Sequence, residues 1–208
     1  MEGTHPDGVD TGLILVGGES RRFGGTKAFE EFEGRPLIVH VSAAFDALVD
    51  ETVVSVATSE VEPRIRSVLP RAIVVADERP GLGPIEGFRQ GFRAAHGGRV
   101  LVAPCDAPLL RAALYRLLLE SLGDYDAAVP KFDVLDPVRA VYQRSPVVRA
   151  LEATPTLPSP SALVDRLRAV LVGPDRIRTV DPDLASFLDV NTHNDMHAAR
   201  RKARSMNE

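Results

Sequence analysis

The sequence predicts an α/β fold: a single domain in which helices cover both faces of a doubly wound, mostly parallel sheet. Short runs of apolar, often β-branched residues alternate with longer segments whose apolar residues recur at helical spacing. Residues 13–103 contain four such runs and three helical segments, the rhythm of parallel strands joined by crossover helices. No linker separates two hydrophobic blocks, so we expect residues 11–208 to form one domain.

The first half of the chain signals the start of each element clearly. The predicted strands are the apolar or β-branched runs at residues 13–16, 52–57, 72–76 and 100–103. The predicted helices lie between them, at residues 36–48, 60–69 and 84–95. Two of these helices start at Pro36 and Pro84, because a proline in the first turn removes no hydrogen bond that the helix would otherwise make.

The second half is less regular. We predict a helix at residues 111–122, a strand at 127–129 and a return strand within 131–142. Because Pro137 has no N–H, the return strand is expected at an edge or at a strand start. The proline-rich residues 154–160 predict a loop. The remaining predicted elements are a helix at 161–170, a strand near 177–180, a short strand at 187–191 and a terminal helix capped by Thr192.

Composition narrows the class of partner. The 208 residues carry a net charge of −4, which disfavours non-specific binding to nucleic acid, so an anionic ligand would need a local cluster of cations. The single cysteine, Cys105, excludes an internal disulfide and fits a reducing compartment. Residues 1–10 are polar and acidic and predict a disordered tail without a signal peptide. No apolar run approaches the roughly 20 residues of a membrane span, so we expect a cytoplasmic protein without a membrane partner.

A glycine-rich, cationic loop follows the first predicted strand. Gly17-Gly18, Arg21-Arg22 and Gly24-Gly25 are followed by Lys27. Glycines let backbone N–H groups approach a ligand, and arginine forks match phosphate oxygens. The loop lacks the Gly-Lys-Ser/Thr of a Walker A motif and is not G-x-G-x-x-G. A basic surface turn is the alternative, but cations and glycine pairs directly behind a buried strand predict a phosphate-binding loop at the carboxyl edge of the sheet.

Asp106 follows another predicted buried strand and is flanked by Pro104 and Pro108. Taken alone, an aspartate in this position is most often a turn or helix-cap residue. Here it shares a sheet edge with the cationic loop, and a rigidly held carboxylate is well placed to hold Mg²⁺. A nucleoside triphosphate travels with Mg²⁺, so the loop and Asp106 together predict a nucleotide site in which Arg22 and Lys27 neutralise the phosphates.

Several segments resemble one known family. They are Leu15-Val16-Gly17-Gly18, Arg22-Phe23-Gly24-Gly25 with Lys27, Gly34-Arg35-Pro36-Leu37, Gly83-Pro84-Ile85-Glu86-Gly87, Pro104-Cys105-Asp106-Ala107-Pro108 and Asp189-Val190-Asn191-Thr192. In this order they are similar to the signatures of the nucleotidyltransferases related to molybdenum cofactor guanylyltransferase. The resemblance covers most of the chain and implies a Rossmann-like fold of the nucleotide-diphospho-sugar transferase type. It also implies an enzyme that joins a nucleoside monophosphate to a phosphorylated acceptor.

The resemblance assigns roles by matching position. Leu15, Val16 and Gly17 would line the base pocket, with Gly18 beside them in the nucleotide site. Lys27 would bind phosphate. Asp77, which follows the third predicted strand, would lie in the nucleotide site. Asp106 would hold Mg²⁺, and Asn191 is the candidate second ligand on the metal side.

Three departures from the family pattern bear on the substrates. Thr26 stands where the family commonly has an aspartate before the lysine, and Val16 replaces a common alanine. Both touch nucleotide choice. Asp136-Pro137 replaces a common His-Pro and touches the acceptor.

The leading interpretation is transfer of GMP from GTP to a molybdopterin-type phosphate, with release of pyrophosphate. A cytidylyl- or uridylyltransferase for another phosphorylated small molecule, or a catalytically silent nucleotide-binding protein, are the alternatives. The sequence does not reveal the oligomeric state.

Overall fold

The computed structural model describes residues 9–17, 26–79 and 81–206 and confirms the predicted α/β fold. Its strands are β1 (Asp10–Val16), β2 (Glu31–Phe32), β3 (Arg35–Pro36), β4 (Glu51–Val56), β5 (Ile73–Ala76), β6 (Arg99–Pro104), β7 (Ala127–Pro130), β8 (Val141–Gln143) and β9 (Ala169–Val172). Its helices are α1 (Leu37–Ala43), α2 (Glu62–Val68), α3 (Pro84–Ala94), α4 (Ala112–Leu122), α5 (Arg144–Ala153), α6 (Pro160–Val164), α7 (Pro174–Arg178) and α8 (His193–Ser205). Of the predicted tail, only Val9 and Asp10 are among the described residues, and Asp10 already belongs to β1.

Seven strands form one sheet in the order β5-β4-β1-β6-β8-β7-β9, and β2 pairs with β3 in a separate hairpin. β8 is antiparallel to β6 and β7, whereas the other neighbouring strands of this sheet run parallel. Val16 of β1 is level with Val56 of β4, and Leu15 is level with Pro104 of β6. The loops that leave β1, β4, β5 and β6 therefore open at one side of the sheet, which we call the carboxyl edge.

Alternate residues of β1 feed two hydrophobic layers. Ile14 and Val16 pack with α1, α2 and α4, whereas Leu13 and Leu15 pack with α3, α5 and α6. This is the pattern expected for a central strand buried on both faces. α3 lies very close to β1, since a Cβ on Gly91 would come within 2.4 Å of Leu13 Cδ1. The close packing fixes the start of α3 beside the carboxyl edge.

The differences from the sequence prediction fall in the second half. α5 has no predicted counterpart, although Val147 and Leu151, four residues apart, bury one face of it. The predicted strand near 177–180 is wrong, because Pro174 starts α7 there. The helix predicted at 161–170 ends at Val164 as α6, and residues 169–172 pair with β7 as β9. The predicted strand at 187–191 is also wrong, since no strand is assigned there. Apolar runs of four or five residues fit either a short strand or a helix turn, so tertiary pairing decides.

Among the described residues, no helix is long and apolar enough to cross a bilayer. The terminal helix α8 is confirmed, together with its predicted cap: Asp195 N donates to Thr192 Oγ1 at 3.2 Å.

Gly97, in the turn between α3 and β6, provides a test of the packing at the start of β1. Its N–H donates to Thr11 Oγ1 at 3.0 Å. A Cβ at this position would lie 2.5 Å from that oxygen and 2.7 Å from the backbone nitrogen of Thr11. Because the backbone must shift, we expect Gly97→Ala to lower the free energy of unfolding by about 1–3 kcal/mol.

The neighbouring Gly98→Ala is the matched control, since a Cβ there meets no atom within 4 Å. Surface changes of this kind cost about 0.5 kcal/mol or less. Urea denaturation of the two variants gives the comparison, and equal midpoints would contradict the contact at Gly97.

Candidate active site

Three polar side chains from distant parts of the chain meet at the carboxyl edge. The Lys27 ammonium lies 2.5 Å from Asp106 Oδ2 and donates to Asn191 Oδ1 at 2.7 Å. The Lys27 and Asp106 side chains are only 13% and 14% exposed. This largely buried ion pair of Lys27 and Asp106, beside the carboxyl ends of β1 and β6, is thus the centre of the candidate site.

Backbone contacts place the two oxygen-bearing residues. Cys105 N donates to Leu15 O at 3.2 Å, which continues the pairing of β6 with β1 up to the residue before Asp106. Val190 N donates to Asp106 O at 2.9 Å, so the segment before α8 is attached to the end of β6. Asn191 N in turn donates to Asp195 Oδ2 at 3.0 Å, in the first turn of α8. The cap of α8 therefore also positions Asn191.

Lys27 is fixed from its own side by the residues that follow it. Ala28 and Phe29 are buried, and the Arg64 guanidinium of α2 lies 4.1 Å from the centre of the Phe29 ring. This cation–π contact and the apolar burial hold the backbone of residues 27–29 against the layer of α1 and α2. The ammonium can therefore reach the carboxyl edge from a rigid anchor.

Asp77 lies at the same edge, directly after β5, where its N–H donates to Val56 O at 2.9 Å. Burial, followed by the negative charge of Glu86, raises the pKa of Asp77 to about 6. Sequence reasoning placed Asp77 in the nucleotide site but gave no role to Glu86.

Glu86 is fully buried in the first turn of α3. Gln90 Nε2 and Arg79 Nη2 each donate to its carboxylate at 2.9 Å, and Arg89 Nε lies 3.6 Å away. Burial would raise the pKa of Glu86, but the hydrogen bonds from Gln90 and Arg79 and the two arginine charges outweigh it and lower the pKa. A buried, ionised carboxylate thus lies close enough to Asp77 to act on its pKa. Arg89 and Gln90 stand at helical spacing from Glu86, three and four residues on, whereas Arg79 comes from the preceding loop.

The other predicted site residues differ in their exposure and in whether the structure describes them. Leu15 and Val16 are buried in opposite hydrophobic layers, so a ligand would meet mainly their backbone. Gly17 is exposed at the end of β1. Gly18 and Arg22 lie outside the described residues.

Burial and the Asp106 charge raise the pKa of the Cys105 thiol to about 12, so Cys105 stays protonated and is a core residue rather than a nucleophile.

A cleft of about 380 Å³ lies at the opposite edge of the sheet, beside the starts of β4 and β5. Two of its acidic residues have structural partners: Asp50 accepts from Asp10 N, and Glu51 accepts from Thr11 and His96. We assign the site to the carboxyl edge, because Lys27, Asp106 and Asn191 converge there from distant parts of the chain. The described residues contain no group of three or more histidine, cysteine, aspartate or glutamate side chains that could hold a metal.

The raised pKa of Asp77 predicts a pH-dependent stability. In the folded protein its carboxyl keeps a proton at pH values at which the unfolded chain has lost it, so the free energy of unfolding falls as pH rises from 3.8 to about 6. Asp77→Asn removes this loss. Its thermal midpoint, relative to the wild type, is therefore expected to increase between pH 4 and pH 7.

The exposed Asp133→Asn is the control for removal of a carboxylate. A difference between Asp77→Asn and the wild type that stays constant over this pH range would mean that Asp77 ionises as a solvated residue does.

Comparison with known proteins adds relatives in which most of the chain is matched. The MobA-like NTP transferase domain matches residues 12–171, a range that contains both Lys27 and Asp106. The molybdenum cofactor guanylyltransferase of Desulfosudis oleivorans is 32% identical over 91% of this chain and 93% of its own length. The probable molybdenum cofactor guanylyltransferase of Methanosarcina acetivorans is 28% identical, over 89% of this chain and 88% of its own length.

Solved structures agree with this match. Molybdopterin-guanine dinucleotide biosynthesis protein A from Archaeoglobus fulgidus has a TM-score of 0.78 and 27% identity, covering 94% of this chain and 100% of that one. The 4-diphosphocytidyl-2C-methyl-D-erythritol synthase of Anaerococcus prevotii shares the fold, with a TM-score of 0.70 and 13% identity over 94% and 98% of the two chains. The predicted resemblance is confirmed: the chain belongs to the MobA-like NTP transferase domain family.

Proposed function

We propose that this protein transfers GMP from GTP to the phosphate of a molybdopterin-type acceptor and releases pyrophosphate. The observation that carries the proposal is the contact of Lys27 with Asp106 and Asn191 at the carboxyl edge, in a chain whose relatives are named for this activity. The acceptor and the nucleotide are the expected partners, and a cytoplasmic location remains a prediction.

The reaction needs no nucleophile from the protein. An oxygen of the acceptor phosphate attacks the α-phosphorus of GTP, a new P–O bond forms, and the bond to the β-phosphate oxygen breaks, so that pyrophosphate leaves with the electron pair. The protein supplies position and charge. Lys27, joined by Arg22 from the preceding loop, would neutralise the triphosphate. The protonated Cys105 takes no part.

The residues present fit a divalent cation. Asp106 Oδ2 and Asn191 Oδ1 converge on one ammonium group, so these two oxygens already share a positive charge. Carboxylate and amide oxygens are ligands that Mg²⁺ accepts, and phosphate oxygens usually complete its coordination. Asp106 and Asn191 would therefore hold Mg²⁺, which when bound would neutralise charge on the phosphates. Lys27 would leave the two oxygens and bind the phosphates instead.

The acidic wall of the site favours guanine among the possible bases. Asp77 and Glu86 lie at the end of β5 and the start of α3, away from Lys27 in the order of the strands. Guanine carries two neighbouring donors, N1–H and the N2 amine, and one carboxylate can accept both. Cytosine offers its N4 amine beside an acceptor. Cytidylyl transfer therefore remains the alternative that competition among nucleotides must exclude.

The proposal predicts which mixture releases pyrophosphate. The protein is incubated with Mg²⁺, molybdopterin and each of GTP, CTP, UTP and ATP, and pyrophosphate is measured. We expect release with GTP that depends on the acceptor. Asp106→Asn, which is nearly isosteric, is expected to lower turnover by about two orders of magnitude, because the charge that holds the metal is lost.

A clear preference for CTP or UTP would move the protein to the alternative function. Nucleotide binding without pyrophosphate release in any mixture would favour the silent nucleotide-binding protein. Near-normal turnover of Asp106→Asn at limiting Mg²⁺ would remove Asp106 from the metal site.

The cations of the loop give a separate prediction. Lys27→Ala and Arg22→Ala are each expected to weaken nucleotide binding by roughly 10- to 100-fold, the range for one lost charge-assisted hydrogen bond of about 1.5–3 kcal/mol. Lys27→Ala should in addition bind Mn²⁺ more tightly without nucleotide, because Asp106 and Asn191 lose their competing cation. Isothermal titration calorimetry measures both affinities.

Arg116→Ala, at an exposed position of α4, is the control for loss of a positive charge. If all three variants bound nucleotide as the wild type does, the loop after β1 would be a surface turn, and the phosphate-binding role would be wrong.

A further inference from the structure

A buried arginine lies in the loop between β7 and β8. Arg139 is 4% exposed, although it carries a full charge. Its Nη1 donates to Asp136 Oδ2 at 2.7 Å, and its Nη2 donates to Asp189 Oδ1. The guanidinium also lies 5.6 Å from the centre of the Phe187 ring. Arg139 therefore joins its own loop to the segment that leads into α8.

Packing around this arginine fixes the loop independently of the charges. Phe132 meets Phe187 edge to face, with ring centres 4.8 Å apart. Tyr142, the middle residue of β8, donates its hydroxyl hydrogen bond to Pro137 O at 2.6 Å. The Asp136-Pro137 dipeptide, at which the sequence departs from the family pattern, is thus part of a rigid loop. The role of Arg139 can be separated from the folding of this loop, since apolar contacts also hold it.

The partner Asp189 belongs to the segment that builds the candidate site. Val190 is fully buried and bonded to Asp106 O, while Asp189 and Asn191 on either side of it are not buried. Such alternation is expected for extended chain, in which every second side chain shares a direction. Asp189 therefore places a second carboxylate two residues from Asn191, which itself contacts Lys27.

An unpaired carboxylate at residue 189 would disturb the charge balance of the site. It would compete with Asp106 for the Lys27 ammonium, and it would offer a divalent cation another anionic ligand. Arg139 removes this competition, because its guanidinium pairs with Asp189 and holds it in place. The Asp189 side chain remains 38% exposed, so it would be free to turn once the arginine is removed.

We propose that Arg139 is a positioning residue for the transfer: it sequesters Asp189, so that this carboxylate competes neither for Lys27 nor for the metal that Asp106 and Asn191 would hold. The effect on turnover rests on the proposed function. The effect on the charge of the site does not, since it follows from the contacts of Arg139 in the protein without ligands.

The test compares Arg139→Met with two double variants. Methionine keeps an apolar stem over Phe187 but leaves both carboxylates without a partner. Asp189→Asn in the same background neutralises the carboxylate next to the site, whereas Asp136→Asn neutralises the one in the loop. Mn²⁺ affinity without nucleotide is measured by electron paramagnetic resonance, together with kcat and the KM for nucleotide. Circular dichroism checks that each variant is folded.

We expect Arg139→Met to bind Mn²⁺ roughly tenfold more tightly, the order for one added carboxylate charge at a partly exposed site. Its kcat should fall by about tenfold or more while the KM for nucleotide changes by less than about threefold. Asp189→Asn in this background is expected to return both Mn²⁺ affinity and kcat towards wild type, and Asp136→Asn is not. If Arg139→Met does not fold, Arg139→Lys, which keeps one charge but cannot bridge both carboxylates, is used in the same comparison.

Unchanged Mn²⁺ affinity in the folded variant would overturn the proposal. So would recovery by Asp136→Asn but not by Asp189→Asn, because Arg139 would then only brace its loop. If the wild type released no pyrophosphate in any mixture, the proposed function would fail, but the Mn²⁺ comparison would still test the role of Arg139.

Discussion

The ammonium group of Lys27 joins three segments that are far apart in the chain. Asp106 is 79 residues away and Asn191 is 164 residues away, yet both contact the same nitrogen. The contact is possible because parallel pairing brings the ends of β1 and β6 level, and because Val190 attaches the approach to α8 to Asp106 O. A charge taken partly out of water has to be paired, so this pair also fixes where the loop after β1 can end.

The same principle recurs in two further clusters near the carboxyl edge. Arg79 and Arg89 compensate the buried Glu86, and Arg139 compensates Asp136 and Asp189. Asp106, Glu86 and Asp189 therefore each have a cation from another segment of the chain. A nucleoside triphosphate with about four negative charges and its Mg²⁺ would change the partners of Lys27 and Asp106 without requiring new backbone structure. Lys27 and Asp106 would thus exchange their mutual contact for contacts with the ligand. Glu86 and Arg139 would keep the partners that they have.

The sequence predicted the first half of the fold and the centre of the site for the same reason. Long buried strands and prolines at helix starts give unambiguous signals, and carboxyl ends of parallel strands must share an edge, which brings Lys27 and Asp106 together. Four-residue apolar runs gave no such signal. A strand was therefore predicted where α7 lies, and a helix was predicted to run into β9. Glu86 and Arg139 were not assigned roles because a charged residue in a sequence is usually solvated. Their burial depends on partners that only the tertiary structure brings near.

The distribution of charge across the strand order limits the orientation of a ligand. Asp77 and Glu86 lie at the end of β5 and the start of α3, and burial, together with the nearby charge of Glu86, raises the pKa of Asp77, so a negative charge on Asp77 is disfavoured there. Lys27 lies beyond β4, beside β1 and β6. A ligand complements both the Asp77 side and the Lys27 side only if it presents hydrogen-bond donors at one end and negative charges at the other. A nucleotide bound with its base near Asp77 and its phosphates near Lys27 meets this condition. The acceptor would then approach from the side of the loop that contains Arg139, because Asp106 lies between that loop and the nucleotide.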